Sequence, residues 1–406
     1  MNEALYPVRI ALQEALEIVR ARSAEHRLPV ERVPLDVARE RVLAEDMHAP
    51  HDLPPFANSA MDGFALRGAE LPAEGEQAFE LIGDVFAGAT SAPRVGRGQC
   101  VRITTGAPLP PGADTVVIKE NVHVEGNRVF ARAGEKAGAN VRAAGEDFAA
   151  GDLALQAGTR LQAAQLGVLA ALGLNRAPVR RRPRVSVIAT GDELVAAGQA
   201  LGFGQIHESN GVMISALLQE AGAEVVSCTC VRDNPEALRS ALLDAAADSD
   251  LIVSSGGVSA GEADHLPSLL QELGEIHFHK ARIKPGMPVL FGAIGASLYF
   301  GLPGNPVSAA VTFQVFVRFA LRAMLGEAVA TQVRRARLSM PVHKKHARAE
   351  LMRCTLRCDA EGVLWATPHA KQGSGMLRGL VESNALALLP EDAHELERGS
   401  IVTVWP

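Results

Sequence analysis

The feature that most constrains the fold is a regular alternation of apolar strands and helical patterns between residues 184 and 326. The predicted strands are Val185–Ala189, Glu224–Val231, Leu251–Ser254 and Ile276–Ile283. Strands and helices that alternate at these lengths are typical of a parallel sheet with helices on both faces. This stretch is therefore predicted to form a doubly wound parallel-sheet domain.

The rest of the chain has a different texture. With 406 residues we expect roughly two to four domains. Residues 8–22 have the spacing of an amphipathic helix, and residues 47–144 contain short β-like runs separated by Gly, Pro and Asp turns. Short strands return after Gly326. The predicted fold class is multidomain α/β plus β, with an inserted β module and a small final β domain.

Composition and charge exclude several classes of function. Aromatic residues make up only 4% of the chain and the net charge is -6, which disfavours binding to nucleic acid. The N-terminal residues lack the pattern of a signal peptide, and no uncharged apolar stretch reaches about 18 residues. The five cysteines include no CxxC pair, which indicates a reducing compartment. We therefore expect a cytoplasmic protein that binds neither nucleic acid nor membranes.

Polar, glycine-rich loops follow the predicted strands of the doubly wound domain. Because the carboxyl ends of parallel strands meet at one edge of a sheet, where ligands of such folds bind, we expect these loops to form one site. Consecutive glycines such as Gly256 and Gly257 let backbone N–H groups approach an anion closely. The four loops are Thr190–Glu193, Ser254–Asp264, Lys284–Pro288 and Gly301–Pro306.

Charged side chains accompany these loops. Lys280 and Lys284 supply positive charge, whereas Glu193, Asp233 and Asp264 supply carboxylates. Together they predict a phosphate held directly by lysine and indirectly through a hard divalent cation, normally Mg²⁺, with Glu193 and Asp264 as its ligands. Asp233 and Asp264 also stand where helices begin, so helix capping is the alternative role for both.

Further polar residues lie outside the doubly wound domain. In the β module, the run Asn58–Asp62 forms one polar loop, and Thr105 and Asp147 belong to other polar turns. In the final domain, eight Lys and Arg between residues 334 and 357 face a single acid, Glu350. This basic run is either a solvated strand face or the lining of an anion site.

These motifs resemble, in the same order, those of the molybdopterin molybdenumtransferase family, which includes bacterial molybdenum insertases and the E domain of gephyrin. The most specific is the run Pro55–Gly63, with Asn-Ser-Ala-Met-Asp-Gly at its heart. The resemblance covers essentially the whole chain. The other matching motifs are Ile103–Pro108, Gly191–Leu194, Ser255–Ser259, Lys284–Gly286 and Gly301–Ser308.

The resemblance implies an elongated protomer of four parts. The doubly wound domain is similar to that of pterin adenylyltransferases, and it is accompanied by an inserted β domain, a hinge region and a β-barrel. On this basis we expect residues 1–26 and 178–326 in the doubly wound domain, 27–46 and 145–177 in the hinge and dimerisation region, 47–144 in the insert, and 327–406 in the barrel.

The resemblance also implies a reaction and an assembly. The family reaction consumes adenylylated molybdopterin and molybdate, releases AMP and yields molybdenum cofactor, with Mg²⁺ assisting. The implied assembly is a homodimer in which each active site lies between the doubly wound domain of one chain and the insert of the other. A pterin adenylyltransferase is the expected partner that supplies the substrate.

The family's functional residues can be carried over position by position. Its catalytic positions match Asp62, Glu193, Asp233, Asp264, Lys280 and Lys284. The substrate-binding positions match Thr105, Asp147, Gly256, Gly257, Pro303, Pro306, Arg348 and Ser374. The chain departs from the pattern at Met287, because many relatives have lysine there, beside the presumed molybdate pocket. Arg348, Lys344 and Lys345 are the residues able to compensate.

Two alternative functions compete with molybdenum insertion. Pterin adenylylation uses a related doubly wound domain, but those enzymes are typically single-domain and carry Thr-Gly-Gly-Thr-Gly where this chain has Ser255–Ser259. A non-catalytic scaffold is the second alternative. The chain retains every acid of the site, which disfavours a scaffold role alone.

Overall fold

The computed structural model describes residues 6–258, 265–328 and 334–405. The secondary structure of these residues forms a seven-stranded sheet, a six-stranded sheet, several two-stranded ribbons and a closed barrel. The multidomain α/β plus β class predicted from the sequence is confirmed. The residues at which one part gives way to the next stay a prediction.

The doubly wound domain is built on the seven-stranded sheet. All strand pairs are parallel except the two made by Leu290–Ile294. The strand order is Val8–Ile10, Glu275–Ala281, Leu290–Ile294, Ser297–Leu302, Leu251–Ser255, Arg184–Thr190 and Glu224–Val231. The helices are Leu12–Glu25, Asn210–Glu220, Pro235–Asp248, Leu266–Leu273, Pro306–Thr312 and Arg318–Met324, with a π-helical turn at Phe313–Val317.

Burial on both faces explains why the central strands read as continuous apolar or small residues. Every residue of Leu251–Ser255 is buried, and only the first residue of Arg184–Thr190 is exposed. A strand covered by helices on both sides has no solvent face, so its sequence does not alternate. Phe278, Phe291 and Phe300 contribute to the larger core cluster of this domain.

The region after residue 274 differs from the prediction. The sequence predicts one strand over Ile276–Ile283, whereas the structure has Glu275–Ala281 in the sheet and Ile283–Lys284 paired with the barrel. The sequence pattern also misses the antiparallel strand Leu290–Ile294, so the sheet is mostly rather than wholly parallel. A continuous apolar pattern shows burial but not the change of partner strand, which explains both differences.

One helical run has the length and composition of a membrane span. Pro306–Met324 is long and apolar enough to cross a membrane, but 72% of its apolar window is buried inside the protein. Phe313, Phe316 and Leu321 from this run pack in the core of the doubly wound domain. The run is therefore the core helix of a folded domain.

The insert contains the six-stranded sheet, with a core on each of its faces. Phe79 and Val117 pack in one cluster, and Val85 and Val101 pack in the other. The strand order is Thr115–Ile118, Gly63–Leu66, Gln99–Ile103, Glu76–Val85, Arg128–Arg132 and Val122–Glu125. Asn58–Ser59 pairs with Val141–Arg142 in a short ribbon, whose two strands come before and after the strands of this sheet in the sequence.

The hinge region consists of ribbons and one helix. Its ribbons pair Val30–Pro34 with Arg176–Arg180, and Met47–His48 with Leu153–Leu155. The helix is Ala163–Ala171, and a small core that includes Leu161 and Leu169 holds these elements together.

The final domain is a closed five-stranded barrel. Ala349–Cys358 pairs with strands on both sides, and this double pairing closes the sheet. The other strands, in order around the barrel, are Leu364–Pro368, Arg334–Leu338, Ile401–Trp405 and Ala385–Leu389. Ile283–Lys284 of the doubly wound domain adds to Ala349–Cys358 in parallel, so the two domains share a sheet edge.

Candidate active site

The strand order brings the glycine-rich loops together. Four neighbouring parallel strands, Ser297–Leu302, Leu251–Ser255, Arg184–Thr190 and Glu224–Val231, end at the same edge of the sheet. We call the loops that follow them the strand-end edge, defined as residues 191–193, 232–233, 256–257 and 303–306. Parallel α/β folds bind their ligands at such an edge.

Gly256 sits where the loop backbones approach most closely. Its φ is +102°, and a Cβ there would lie 2.5 Å from the Thr190 carbonyl oxygen and 2.6 Å from Thr190 Oγ1. The Gly256 N–H donates to the Leu302 carbonyl over 3.1 Å. Gly257 also has a positive φ, of +63°. Glycine is required at position 256 because any side chain would push these loops apart.

Asn210, the first residue of a helix that the sequence predicts over 210–221, links two of the loops. Its Nδ2 donates to Ser255 Oγ over 2.7 Å and to the Gly304 carbonyl over 2.7 Å. Ser255 Oγ in turn donates to the Pro303 carbonyl over 3.4 Å. The only signal for this role in the sequence is an amide at the start of a helix that packs on the sheet. That signal is too common to identify a site residue.

Carboxylates crowd one end of the strand-end edge. Glu193 is exposed, and its carboxylate lies over Gly191, where a Cβ would be 2.7 Å from Oε2. Cys230 is exposed near the end of strand Glu224–Val231, and the pKa of its thiol is raised by partial desolvation and then by the charges of Glu208, Cys228, Glu193 and Asp233. Negative charge concentrated in this way favours a bound cation.

Asp233 does not cap the helix that follows it, so the capping alternative for this residue is wrong. The cap is Asn234, whose Oδ1 accepts from the N–H groups of Glu236 and Ala237, both over 3.0 Å. The Asp233 N–H donates to Asp192 Oδ1 over 3.3 Å. Asp264, which is predicted to bind the metal ion together with Glu193, lies outside the described residues.

Lys280 lies near the end of strand Glu275–Ala281, whereas Lys284 lies on the short strand Ile283–Lys284 that follows. Lys280 has a φ of +69°, and its N–H donates to the Val289 carbonyl over 2.7 Å. Lys284 Nζ lies 2.9 Å from Glu350 Oε1 of the barrel. Of the two, only Lys280 is therefore without a carboxylate partner among the ion pairs of the described residues.

The barrel supplies the remaining predicted residues at a boundary that we call the barrel junction, defined as residues 282–287 with 344–350. Arg348 Nη1 lies 3.9 Å from Met287 Sδ. The expectation that Lys344 compensates for Met287 is wrong, because Lys344 is buried and its Nζ donates to the carbonyls of Arg348, Pro390 and Glu391. Lys345 is exposed.

Ser374 meets the strand-end edge through its backbone. Its carbonyl accepts from the Val307 N–H over 3.0 Å, in the first turn of helix Pro306–Thr312. Pro306 is the first residue of that helix, and Pro303 lies in the loop that precedes it. The Ser374 backbone therefore contacts the segment that contains both prolines.

The predicted residues of the insert form a separate group. Asp62 Oδ1 accepts from both the N–H and Oγ1 of Thr105, each over 2.9 Å, and Lys119 Nζ lies 3.9 Å from Oδ2. These contacts, led by the Thr105 N–H, lower the pKa of Asp62. Asp147 is exposed, and its N–H donates to the Leu53 carbonyl over 3.0 Å. Within the described parts of one chain, Asp62 makes no hydrogen bond or ion pair with the strand-end edge.

Comparisons with known proteins identify the family. Residues 10–173 match the family description "MoeA N-terminal region (domain I and II)", 186–323 match "Probable molybdopterin binding domain" and 335–406 match "MoeA C-terminal region (domain IV)". A molybdopterin molybdenumtransferase of Haemophilus influenzae is 34% identical, with 92% of each chain covered. The chain belongs to the molybdopterin molybdenumtransferase family.

Other relatives agree with this membership. Molybdopterin molybdenumtransferase 2 of Mycobacterium tuberculosis is 37% identical over 92% of this chain and 94% of its own length. Gephyrin of Dictyostelium discoideum is 32% identical over 96% of this chain and 61% of its own length. The crystal structure of a molybdopterin biosynthesis moeA protein from Pyrococcus horikoshii OT3 has a TM-score of 0.85 at 30% identity, covering 98% of this chain and 99% of that one.

Proposed function

We propose that this chain inserts molybdate into adenylylated molybdopterin, releasing AMP and forming molybdenum cofactor. The observation that carries the proposal is the strand-end edge, where the Gly256–Gly257 loop lies beside the Glu193 and Asp233 carboxylates. Lys280 lies near the end of a further strand of the same sheet. Membership in the molybdopterin molybdenumtransferase family supports the same reaction.

The chemistry of the substrate suits these groups. Adenylylated molybdopterin carries a phosphoanhydride, and breaking it places negative charge on phosphate oxygens. Lys280 and Lys284 neutralise such charge, and the backbone N–H of Gly257 can donate to the same oxygens. The fixed positions of these donors lower the cost of reorganisation during the reaction.

We also propose a Mg²⁺ ion that binds together with substrate. In residues 6–258, 265–328 and 334–405, no group of three His, Cys, Asp or Glu side chains is arranged to hold a metal ion. Mg²⁺ commonly binds through one or two carboxylates plus substrate phosphates, which needs no such group. Glu193, in its acidic surroundings, and Asp264 would hold the ion, which when bound would withdraw charge from the phosphate oxygens.

The metal proposal is tested by Asp264→Asn. The amide keeps the shape of the side chain but removes the charge that a hard cation needs, so we expect a folded protein that releases AMP much more slowly. The exposed helical residue Asp244 offers a control through Asp244→Asn. Turnover unchanged by Asp264→Asn, at both saturating and limiting Mg²⁺, would end this assignment.

We further propose a homodimer in which the insert of one chain completes the site of the other. Exposed apolar side chains support an interface in both regions, namely Phe56 and Met61 beside Asp62, and Leu201, Phe203 and Ile206 close in sequence to Glu193. Mixing Asp62→Ala and Glu193→Ala protomers should restore activity, because half of the sites in a heterodimer carry neither change. Proven heterodimers without recovered activity would mean that each chain builds its own site.

The proposed reaction takes place in the cytoplasm, with a pterin adenylyltransferase as the source of the substrate. The decisive assay supplies purified adenylylated molybdopterin with and without molybdate. We expect AMP release that requires molybdate. An enzyme that instead consumes ATP and molybdopterin to make the adenylylated pterin would be an adenylyltransferase, and a chain inactive in both assays would fit the scaffold alternative.

A further inference from the structure

Glu350, the only acid in the basic run of the barrel, is buried at the barrel junction. The residue is 8% exposed. Its Oε1 lies 2.9 Å from Lys284 Nζ, and its Oε2 lies 3.2 Å from His346 Nε2. One barrel carboxylate therefore contacts a predicted catalytic lysine of the doubly wound domain.

The backbone carries Lys284 to this carboxylate. Ile283–Lys284 pairs in parallel with Ala349 and Glu350, and the Ala349 N–H donates to the Arg282 carbonyl over 2.9 Å. Lys284 thus stands on a strand that is paired with the barrel sheet. Its position depends on the barrel as much as on its own domain.

The Lys284 ammonium and the Glu350 carboxylate each need a partner of opposite charge. A lysine side chain has a flexible four-carbon stem, so a fixed ammonium position needs a partner. A buried carboxylate also needs partners, because its loss of hydration must be offset by ion pairs and hydrogen bonds. Lys344 cannot replace Lys284 in this role, since its ammonium is held by three backbone carbonyls.

We propose that Glu350 is a positioning residue that holds the Lys284 ammonium where an anionic substrate group binds. The inference rests on the proposed function, because it assumes that Lys284 serves that reaction. It adds a role for the barrel, which then sets the geometry of a catalytic cation in the neighbouring domain.

The chain offers a matched control. Arg282 Nε lies 2.8 Å from Glu391 Oε2, so a second ion pair joins the same segment to the barrel two residues before Lys284. Glu391→Gln weakens the junction without touching Lys284. Glu350→Gln keeps the size of the side chain but removes the charge that fixes the ammonium.

The experiment measures half-saturating concentrations of molybdate and of adenylylated molybdopterin, together with kcat, for both variants and for Lys284→Ala. Lys284→Ala is expected to raise the half-saturating concentration of one of the two substrates. Glu350→Gln should raise the half-saturating concentration of that same substrate by about tenfold. Glu391→Gln should change it less than about twofold. In the Lys284→Ala background, adding Glu350→Gln should have no further effect, because both changes remove one interaction.

Several results would overturn the inference. Additive effects in the double variant, equal effects of Glu350→Gln and Glu391→Gln, or a shift in the other substrate's parameter would each show that Glu350 does not act through Lys284. If Lys284→Ala itself leaves the kinetics of an active enzyme unchanged, Lys284 has no role and the inference fails with it. Absence of wild-type activity would instead contradict the proposed function.

Folding is checked separately. The chain's two tryptophans, Trp365 and Trp405, both lie on barrel strands, so their fluorescence reports the barrel directly. If Glu350→Gln does not fold, Glu350→Asp keeps the charge but withdraws it from Lys284. That variant should raise the same half-saturating concentration by a smaller factor, and unaltered kinetics would contradict the inference.

Discussion

The strand-end edge and the barrel junction both carry predicted site residues, but different forces shape them. At the strand-end edge, geometry comes from backbone packing, since the Gly256 backbone lies against Thr190 and the Leu302 carbonyl. At the barrel junction, geometry comes from polar side chains of two domains, with the Glu350 carboxylate between the Lys284 ammonium and the His346 ring.

Because of this difference, the two regions should respond differently to a substitution or a change of pH. Backbone contacts at the strand-end edge leave no room for added atoms, and they depend little on pH. Ion pairs at the barrel junction tolerate changes of size better, but they respond to the loss or gain of a charge. Three substitutions test this difference between the regions.

The largest effect is expected for Gly256→Ala. The new Cβ would lie 2.5 Å from the Thr190 carbonyl oxygen at a φ of +102°, so strain of about 1–3 kcal/mol adds to a steric clash. A displacement of the loops by about 1 Å can cost on the order of 100-fold in kcat/KM. The measurement is AMP release, with folding followed by circular dichroism.

Gly198→Ala is the matched control for this substitution. Gly198 has a φ of +89° in the same domain, but a Cβ at this position would meet nothing within 4 Å. It shares the backbone strain without the clash. Similar kinetic losses in the two variants would show that close packing at Gly256 is not what the site requires.

A smaller effect is expected for Met287→Lys at the barrel junction. The new ammonium would supply the cation that the family resemblance leads us to expect at this position, so we expect the half-saturating molybdate concentration to fall about tenfold, with affinity for the adenylylated pterin largely unchanged. Arg348 Nη1, 3.9 Å from Met287 Sδ, would repel the new charge and limit the gain.

The same substitution on an exposed barrel turn, Met340→Lys, controls for added charge in general. Molybdate titrations of the two variants and the wild type decide the matter. If the Met287→Lys curve superimposes on that of the wild type, position 287 does not contact the anion and the pocket must lie elsewhere.

The smallest effect concerns His346 and pH. Burial lowers the pKa of His346; Glu350 opposes the shift, whereas Lys284, Arg348 and Lys344 add to it. The folded protein therefore keeps this histidine neutral at pH values where the unfolded chain binds a proton. Stability from this source is present above about pH 6.5 and is lost as the pH falls further.

We expect His346→Gln to reduce the acid-induced loss of unfolding free energy between about pH 7.5 and 5.5 by at most about 1 kcal/mol. Urea unfolding followed by tryptophan fluorescence measures this, because both tryptophans lie in the barrel. His343→Gln, at an exposed barrel position, is the control. Equal pH dependence in all three proteins would contradict the account of the junction.

The two regions also differ in how far sequence predicts them. Local patterns reveal the strand-end edge, because a glycine pair after an apolar strand marks both the turn and its place in a parallel sheet. The sequence predicts helices over 210–221 and 235–247 and a strand over Glu224–Val231, and the structure has Asn210–Glu220, Pro235–Asp248 and Glu224–Val231. Asn210 shows the limit, since its two loop partners are 45 and 94 residues away.

The barrel junction is harder to predict because its contacts join distant segments. Nothing near Lys284 in the sequence indicates Glu350, and nothing near Lys344 indicates the carbonyls of Pro390 and Glu391 that accept from its ammonium. The strand Leu290–Ile294 escapes prediction although its hairpin partner Ser297–Leu302 is close in sequence, because an apolar pattern shows burial but not strand direction. Periodicity reports burial and local conformation, whereas the choice of partner is decided by the tertiary fold.

The most direct test of molybdate insertion by this chain is a single-turnover experiment with enzyme in excess over adenylylated molybdopterin. AMP release and molybdenum bound to the pterin product are measured over time, with and without molybdate, for the wild type and for Gly256→Ala. The account predicts that AMP and molybdenum-containing product form together in equal amounts, only with molybdate, and on the order of 100-fold more slowly in the variant. AMP released at the same rate without molybdate, or a pterin product that contains no molybdenum, would contradict it.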